Sequence, residues 1–508
     1  MTVASIVMSI HLIFSAGKVV EWTTFHYDNA RTGAAPVDFP SADFKLLWAY
    51  ELGKHTWRYC QGVSVWSSAP VVVRVGERML AITGAYDHNV YAIDTASGKM
   101  VWRYTTGCVV NGALAFARLG GRPLVYVGSG DRSFYCLDAA TGQKVWVRET
   151  MPWSFTVGDA VPSGPLVAQI DGRPVVYVGF WNSDKRSGRT VRRGDLFAFD
   201  AITGKTIWER RLGEGQVSSP ALGMVNQRPV IYVGTEEGSV FALDAATGEI
   251  MWQFLTDHAI TNSPTVATIA GQPVVFAANF FGMLYCLHGR TGRVLWKYKL
   301  GHEVRSTAAI ARLLDTPVLF LGSLDRRIYA IAAKDTRLLW QFPTGKYVTA
   351  SPVVVTVAGR PAVIAASLDN FLYVLEAVNG RPIWRYETGD MLWGYETRGS
   401  SLWSSPAVAC DGKRPIIVFG GHDGKLYCFG AKPAAPGQVA AKASGAALSA
   451  GAPLASADDP RSRGPRALWL ASSWAGRWLA LIIAAALFSA GLIVVFLFPP
   501  SASQADKR

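Results

Sequence analysis

The apolar positions of this chain fall in short runs separated by turn residues. One stretch, residues 218–254, reads SSPALGMVNQRPVIYVGTEEGSVFALDAATGEIMWQF. Within it residues 221–225, 230–233, 239–243 and 249–254 have the β-branched and aromatic content of strands. The breaks N-Q-R-P, T-E-E-G and D-A-A-T-G are turn chemistry. In the last of these the Asp side chain bonds the turn backbone and the Gly supplies the positive φ that a tight hairpin needs. The same turn recurs at 94–98, 138–142 and 200–204, and decays to H-G-R-T-G at 288–292. Four short antiparallel strands per unit make the blade of a β-propeller.

A tryptophan closes each unit. Trp208, Trp252, Trp296, Trp340 and Trp384 are spaced by 44 residues, as are Trp102 and Trp146. The step from Trp146 to Trp208 is 62 rather than 44, an insertion of 18 residues. Eight third strands can be counted: VYAID, FYCLD, LFAFD, VFALD, LYCLH, IYAIA, LYVLE and LYCFG. The eighth unit stops at Gly430 without a fourth strand, while residues 44–50, FKLLWAY, form an orphan fourth strand carrying Trp48. Pairing the two predicts an all-β, eight-bladed propeller closed by an N-terminal strand, with no open edges. The tryptophans read as packing pegs between outer strands.

Strand parity sets which loops share a face. The loops entering each first strand and the turns between second and third strands lie together and ring a central funnel. The innermost entry positions read Asn111, Val217, Thr261, Arg305, Thr349 and Trp403, with no carboxylate at that level. The insertion, residues 181–195, reads WNSDKRSGRTVRRGD and projects from the same face. Its cations, Lys185, Arg186, Arg189, Arg192 and Arg193, suit an anionic partner or lipid headgroup, or else decorate a solvated hairpin. No aromatic-interleaved basic groove accompanies them, which argues against nucleic acid.

Composition fits this picture. The 508 residues include 18 Trp and 50 Gly, only 17% are charged, and the formal net charge is +13. Of the six cysteines, Cys136, Cys286 and Cys428 occupy one repeated strand position, too far apart to pair and suited to being small buried groups.

The Y-V-G-S-x-D…Y-A-L-D-A-x-T-G-x-x-x-W pattern over residues 44–430 resembles the pyrroloquinoline quinone (PQQ) repeat family. Residues 22–33, WTTFHYDNARTG, resemble its N-terminal lead-in. The family contains PQQ-dependent alcohol and sugar dehydrogenases, and also non-catalytic members such as the propeller lipoprotein of outer-membrane assembly. In the dehydrogenases the quinone lies on a Trp and Ca²⁺ bridges it to Glu, Asn and Asp. The resemblance therefore offers Trp403 or Trp393 as a floor, Arg305 as an anion partner, Asn111 as a polar contact, and Glu214 and Asn262 as metal donors. The vicinal Cys pair of the alcohol dehydrogenases and a haem-binding C-x-x-C-H are absent. No catalytic residue is assigned. The reading favours a binding scaffold without cofactor over a PQQ- and Ca²⁺-dependent dehydrogenase.

After residue 430 the composition shifts. Residues 431–476 are a linker rich in Ala, Pro, Gly, Ser and Arg. From Trp478 to Phe498 run 21 uncharged residues, enough to span a bilayer, with Trp469, Trp474 and Trp478 at the near side. The expected domains are an N-terminal hydrophobic segment and lead-in (1–43), the propeller (44–430), the linker, a transmembrane helix (477–499) and a short tail (500–508). Residues 3–16 are apolar enough for a signal segment, although no Lys or Arg precedes them. The arginines flanking the helix favour a cytoplasmic propeller and an export signal the opposite. The reading takes a single-pass membrane protein with a monomeric propeller on the periplasmic or extracytoplasmic side. Its funnel face then docks a protein or envelope polymer.

Overall fold

The computed structural model describes residues 18–53, 69–150, 161–186, 189–388, 404–421 and 424–431, with backbone alone for those within 182–191. They form eight antiparallel sheets of the predicted kind. Blade four is typical: Ala221–Val225, Arg228–Gly234, Ser239–Asp244 and Ile250–Leu255, here called strands A to D from the centre outward. Blade eight takes A to C from Ala407–Asp411, Pro415–Gly420 and Lys425–Ala431, and its D strand is Phe44–Glu51. Trp48 stands opposite Cys428 in that pair, so the ring closes as the pattern requires. The blade-three insertion is a long B–C hairpin, Arg173–Arg186 against Arg189–Asp200, paired to its last residues.

The tryptophans are more than packing pegs. In seven of the eight the indole nitrogen donates to a carbonyl in the C–D turn of the next blade, as Trp48 to Thr95 at 2.9 Å, Trp102 to Ala139 at 2.9 Å and Trp340 to Ala377 at 2.8 Å, while Trp384 packs on Phe44 and Phe429 of blade eight. The turn residue over the indole is held near φ +70°, as at Gly98 and Gly142. A Cβ at Gly142 would sit 2.7 Å from the Trp102 ring, so glycine is required there both by dihedral and by space. On the opposite face a second motif repeats. Asp131 in the B–C turn accepts the Tyr135 hydroxyl at 2.6 Å and the Gly107 amide of the entry loop at 2.7 Å. Asp369 does likewise for Tyr373 and the Gly345 amide, and Asp87 and Asp325 accept the hydroxyls of Tyr91 and Tyr329. The repeated cysteines are buried and unbridged, and burial pushes the thiols of Cys136, Cys286 and Cys428 up to about 12.

The lead-in is not a tail outside the ring. Val19–Val20 pairs with strand A of blade eight. Trp22 bridges Val72 in blade one, and the Thr23 carbonyl accepts Phe116 N in blade two. Thr24 donates to Pro165 O in blade three, and the Asn29 and Ala30 carbonyls accept Leu222 N and Val266 N in blades four and five. Thr32 and Gly33 do the same for Ile310 and Val354 in blades six and seven, after which Ala34–Phe39 runs parallel to Val353–Val357. Residues 19–39 thus plug the channel and bind all eight blades. The plug's centre is polar. Arg31 is fully buried and donates to the carbonyls of Phe25, Gly164, Pro165 and Pro220 and to the Thr24 hydroxyl. His26 touches Arg31 O at 2.7 Å and Pro352 O at 2.8 Å. Asp28 accepts the amide and hydroxyl of Thr32.

The segment predicted to span a membrane, Trp478 to Phe498, lies outside the described residues. Among the described residues no helix is long and apolar enough to cross one.

Replacing Arg31 by Met keeps the apolar stem but strands several buried oxygens without a donor. The variant should lose on the order of 3 kcal/mol in chemical denaturation; an unchanged midpoint would mean that water replaces the guanidinium. His26 gives a pH test. Full burial pushes the ring down from 6.5 to about 4, against two carbonyl oxygens that favour protonation. The unfolded chain then binds more protons between those limits, so stability is complete above pH 6.5 and falls as pH drops toward 4. Burial raises the Asp28 carboxyl, which works in the opposite sense, so the histidine's share is the difference between wild type and His26→Gln. The wild type's melting temperature should fall more steeply on acidification than the variant's. A flatter wild-type profile would show that the folded ring carries both protons.

Candidate functional site

The entry to each strand A carries a recurring S-[ST]-P or related triplet, and its hydroxyls build two belts above the plug. The first is internal to each blade. Ser163, Ser218, Ser306 and Ser404 accept the amides of Gly179, Gly234, Gly322 and Gly420 at 2.8–2.9 Å. Asn262 takes this place in blade five, with its amide bound to both Ala278 N and Ala278 O. The second belt runs between blades. Ser219 accepts Gly164 N at 2.9 Å, Thr307 accepts Ser263 N at 3.2 Å, Ser351 accepts Thr307 N at 3.0 Å and Ser405 accepts Ser351 N at 3.0 Å.

Between blades three and six these residues line a small, partly open recess with room for about one water molecule. Its wall includes Ser163, Gln216, Val217, Thr261, Asn262 and Arg305. Arg31 of the plug lies one layer down, bonded to the carbonyls of Gly164, Pro165 and Pro220. The charge in the recess is internally balanced. Arg305 Nε donates to Glu303 at 2.6 Å, both side chains are largely buried, and the guanidinium lies over the Phe280 ring at 5.6 Å.

Of the residues singled out in the sequence, the fold brings Arg305 and Asn262 into this recess. Asn262 is committed to backbone at both ends of its amide, its nitrogen also reaching Val304 O at 3.1 Å. Asn111 stands in blade two, outside the recess wall, and its Oδ1 is buried with no hydrogen-bond partner among the described residues. Glu214 has a side chain 69% exposed and lies 3.8 Å from Arg211, away from the recess wall. Trp403 and Trp393 lie outside the described residues. In the basic hairpin, Lys185, Arg186 and Arg189 are placed only as backbone near its tip. Arg192 is exposed, whereas Arg193 is engaged at the hairpin's root by Asp195 at 2.5 Å and by Glu209. Asp195 is fully buried, and burial pushes its carboxyl up to about 6 against the pull of Arg193.

A Ca²⁺-bound quinone needs several oxygen ligands, carboxylates among them, converging on one point. The described recess residues do not fit that demand. Its amide is spent on backbone, the Glu303 carboxylate is paired with Arg305, the Glu236 carboxylate accepts the Gln216 amide, and Glu214 lies 3.8 Å from Arg211. Among the described residues no three His, Cys, Asp or Glu side chains cluster in a way that would hold a metal. The sequence reading missed the hydroxyl belts, the Glu303 partner and the plug. The recurring Ser before Pro was visible in the repeat and is the signal that marks the belts.

An eight-bladed propeller with a plugged channel and a polar recess at one mouth defines a quinoprotein-type propeller. The family described as outer membrane protein assembly factor BamB matches residues 42–235, 192–271 and 236–458, and the chain belongs to this PQQ-repeat propeller family. No curated protein matches the sequence. Among solved structures, quinohemoprotein alcohol dehydrogenase from Comamonas testosteroni aligns at 17% identity over 82% of each chain, with a TM-score of 0.59. A europium-containing methanol dehydrogenase aligns at 15% identity over 81% of this chain and 98% of its own, with a TM-score of 0.60. BamB from Moraxella catarrhalis aligns at 18% identity over 76% of this chain and 99% of its own, with a TM-score of 0.50. At such identities the likeness is one of fold.

The inter-blade belt is testable without disturbing shape. Thr307→Val removes the acceptor for Ser263 N while leaving volume nearly unchanged. It should cost roughly 1–3 kcal/mol in chemical denaturation, and an unaltered midpoint would mean the belt adds nothing to blade cohesion.

Proposed function

We propose that this protein is a membrane-tethered propeller that acts as a binding and assembly scaffold, docking a protein or envelope polymer on its funnel face. The observation that carries this reading is the recess itself. Arg305 is neutralised by Glu303 and Asn262 is bound by backbone, so the described wall offers neither a general base nor a ligand set for a Lewis acid. What it does offer is a polar, shaped floor suited to recognition. The family match to an outer-membrane assembly factor supports the same reading. The basic hairpin bearing Lys185, Arg186, Arg189, Arg192 and Arg193 extends from this face as an arm for an anionic partner. The apolar run from Trp478 to Phe498 serves as a single-pass anchor, with the propeller on the extracytoplasmic side.

A second reading, a PQQ-dependent membrane dehydrogenase acting on an alcohol or sugar, draws support from the fold shared with two alcohol-oxidising enzymes. In that case Trp393 or Trp403 would floor the ring and Arg305 would face its carboxylates. One experiment separates the two. The detergent-purified full chain, denatured, should release no quinone. Incubated with PQQ and Ca²⁺, it should neither bind the quinone one-to-one nor reduce a dye with alcohols or aldose sugars. Stoichiometric binding with substrate-dependent dye reduction would overturn the scaffold reading.

A further inference from the structure

The face opposite the funnel carries a pattern that the repeat does not need. Where strand A turns into strand B, the same position is arginine in six of the eight blades: Arg78, Arg122, Arg173, Arg228, Arg360 and Arg414. Blades five and six have Gln272 and Thr316 there. Five of the six arginines are exposed and Arg414 is partly so. None of them forms an ion pair with a carboxylate among the described residues; Arg360 feels Glu376 only at longer range. A structural turn does not require this, since the neighbouring Pro and the positive-φ residue already set its geometry.

The C–D turns open on the same face and add Lys99, Lys205, Arg293, Arg337 and Arg381, all exposed, of which Arg381 pairs with Glu376. Acids are present too. Glu77, Asp171, Asp315 and Asp411 lie in the A–B turns and Glu249 and Asp335 in the C–D turns, while Asp94, Asp138, Asp200 and Asp244 are taken up by turn amides. The B–C turns of the funnel face carry Asp87, Asp131, Glu236, Glu237, Asp325 and Asp369 against Arg132, Arg326 and Arg327, while the blade-three hairpin adds Lys185, Arg186, Arg189, Arg192 and Arg193 with Asp184 and Asp195. The two faces therefore differ in pattern: a repeated ring of exposed arginines on one, and cations gathered in a single hairpin on the other.

The chain leaves the propeller on the basic face. Strand C of blade eight runs from Lys425 to Ala431, and Ala431 stands opposite Phe44 at the end where the C–D turns lie. The last described residue, Ala431, thus lies at the arginine-bearing end of its blade. We propose that the arginine-ringed face is a docking surface for anionic lipid headgroups, which seats the tethered propeller with its funnel directed away from the bilayer. Guanidinium groups bind phosphate oxygens through paired N–H donors, and cations near an anionic surface are attracted within about one Debye length, roughly 8–10 Å at moderate salt. The proposal rests on the tether reading only for how the protein reaches the membrane.

The test uses the full chain reconstituted into vesicles of phosphatidylcholine alone or mixed with phosphatidylglycerol. A dye is placed on the basic side at Met224→Cys or on the funnel side at Phe281→Cys, both exposed, and energy transfer to a headgroup-labelled lipid is read against the unsubstituted chain. Transfer from position 224 should exceed that from 281, should rise with phosphatidylglycerol, and should fall back at high salt or when all six arginines are replaced by Gln. Equal transfer from both positions, or transfer indifferent to lipid charge, overturns the proposal. If the chain fails to float with phosphatidylcholine vesicles, the tether reading is the one that fails, and the arginine face is then read from flotation with phosphatidylglycerol vesicles. There each arginine replaced should weaken binding by roughly fivefold. Binding that survives loss of all six overturns it.

Discussion

The hydrogen bonds between Phe44–Glu51 and Lys425–Ala431 are the constraint on which the rest of the molecule depends. A blade series built only from consecutive segments would leave an open strand at its end, and an open strand invites pairing with another chain. Here the last sheet takes one strand from the start of the chain and three from its end. Trp48 carries the closure onward, because its indole docks on the C–D turn of blade one. The joint thus uses the same contact that links six other neighbouring pairs of blades, and between blades seven and eight Trp384 packs on Phe44 of the closing strand. Stability of any one blade becomes stability of the ring.

Closure also fixes the plug. Residues 19–39 immediately precede the closing strand, so drawing that strand into blade eight holds the lead-in inside the channel. There it satisfies strand A amides that face the axis and would otherwise need water. Arg31 shows how this is done at the centre, a buried cation with its donors directed at carbonyls of blades three and four. The plug in turn braces the backbone beside the recess, so the carbonyls of Gly164, Pro165 and Pro220 are held by a segment more than 100 residues away in sequence.

The chemistry of the recess follows from what its polar groups are already doing. Hydroxyls that look like ligands along the sequence are occupied in joining blade to blade and strand to strand. Arg305 and Glu303 cancel one another. Charge without such internal pairing lies at the periphery, in the basic hairpin on the funnel side and the arginine ring on the other.

The sequence by itself determined the number of blades, the insertion in blade three and the closing strand, because each rests on a local period or a local shortage that can be counted. Trp48 and residues 425–430 could be paired on that count alone. It also marked Arg305 and Asn262 as lying at the inner mouth, since strand parity places every entry loop on one face. Only the tertiary structure decided what those side chains are free to do. Glu303 reaches Arg305 from two residues away, and the backbone of Ala278 and Val304 claims Asn262. The plug was equally hidden. Residues 22–33 have no strand period of their own, and their order comes from partners in seven separate blades that meet only when the ring is closed.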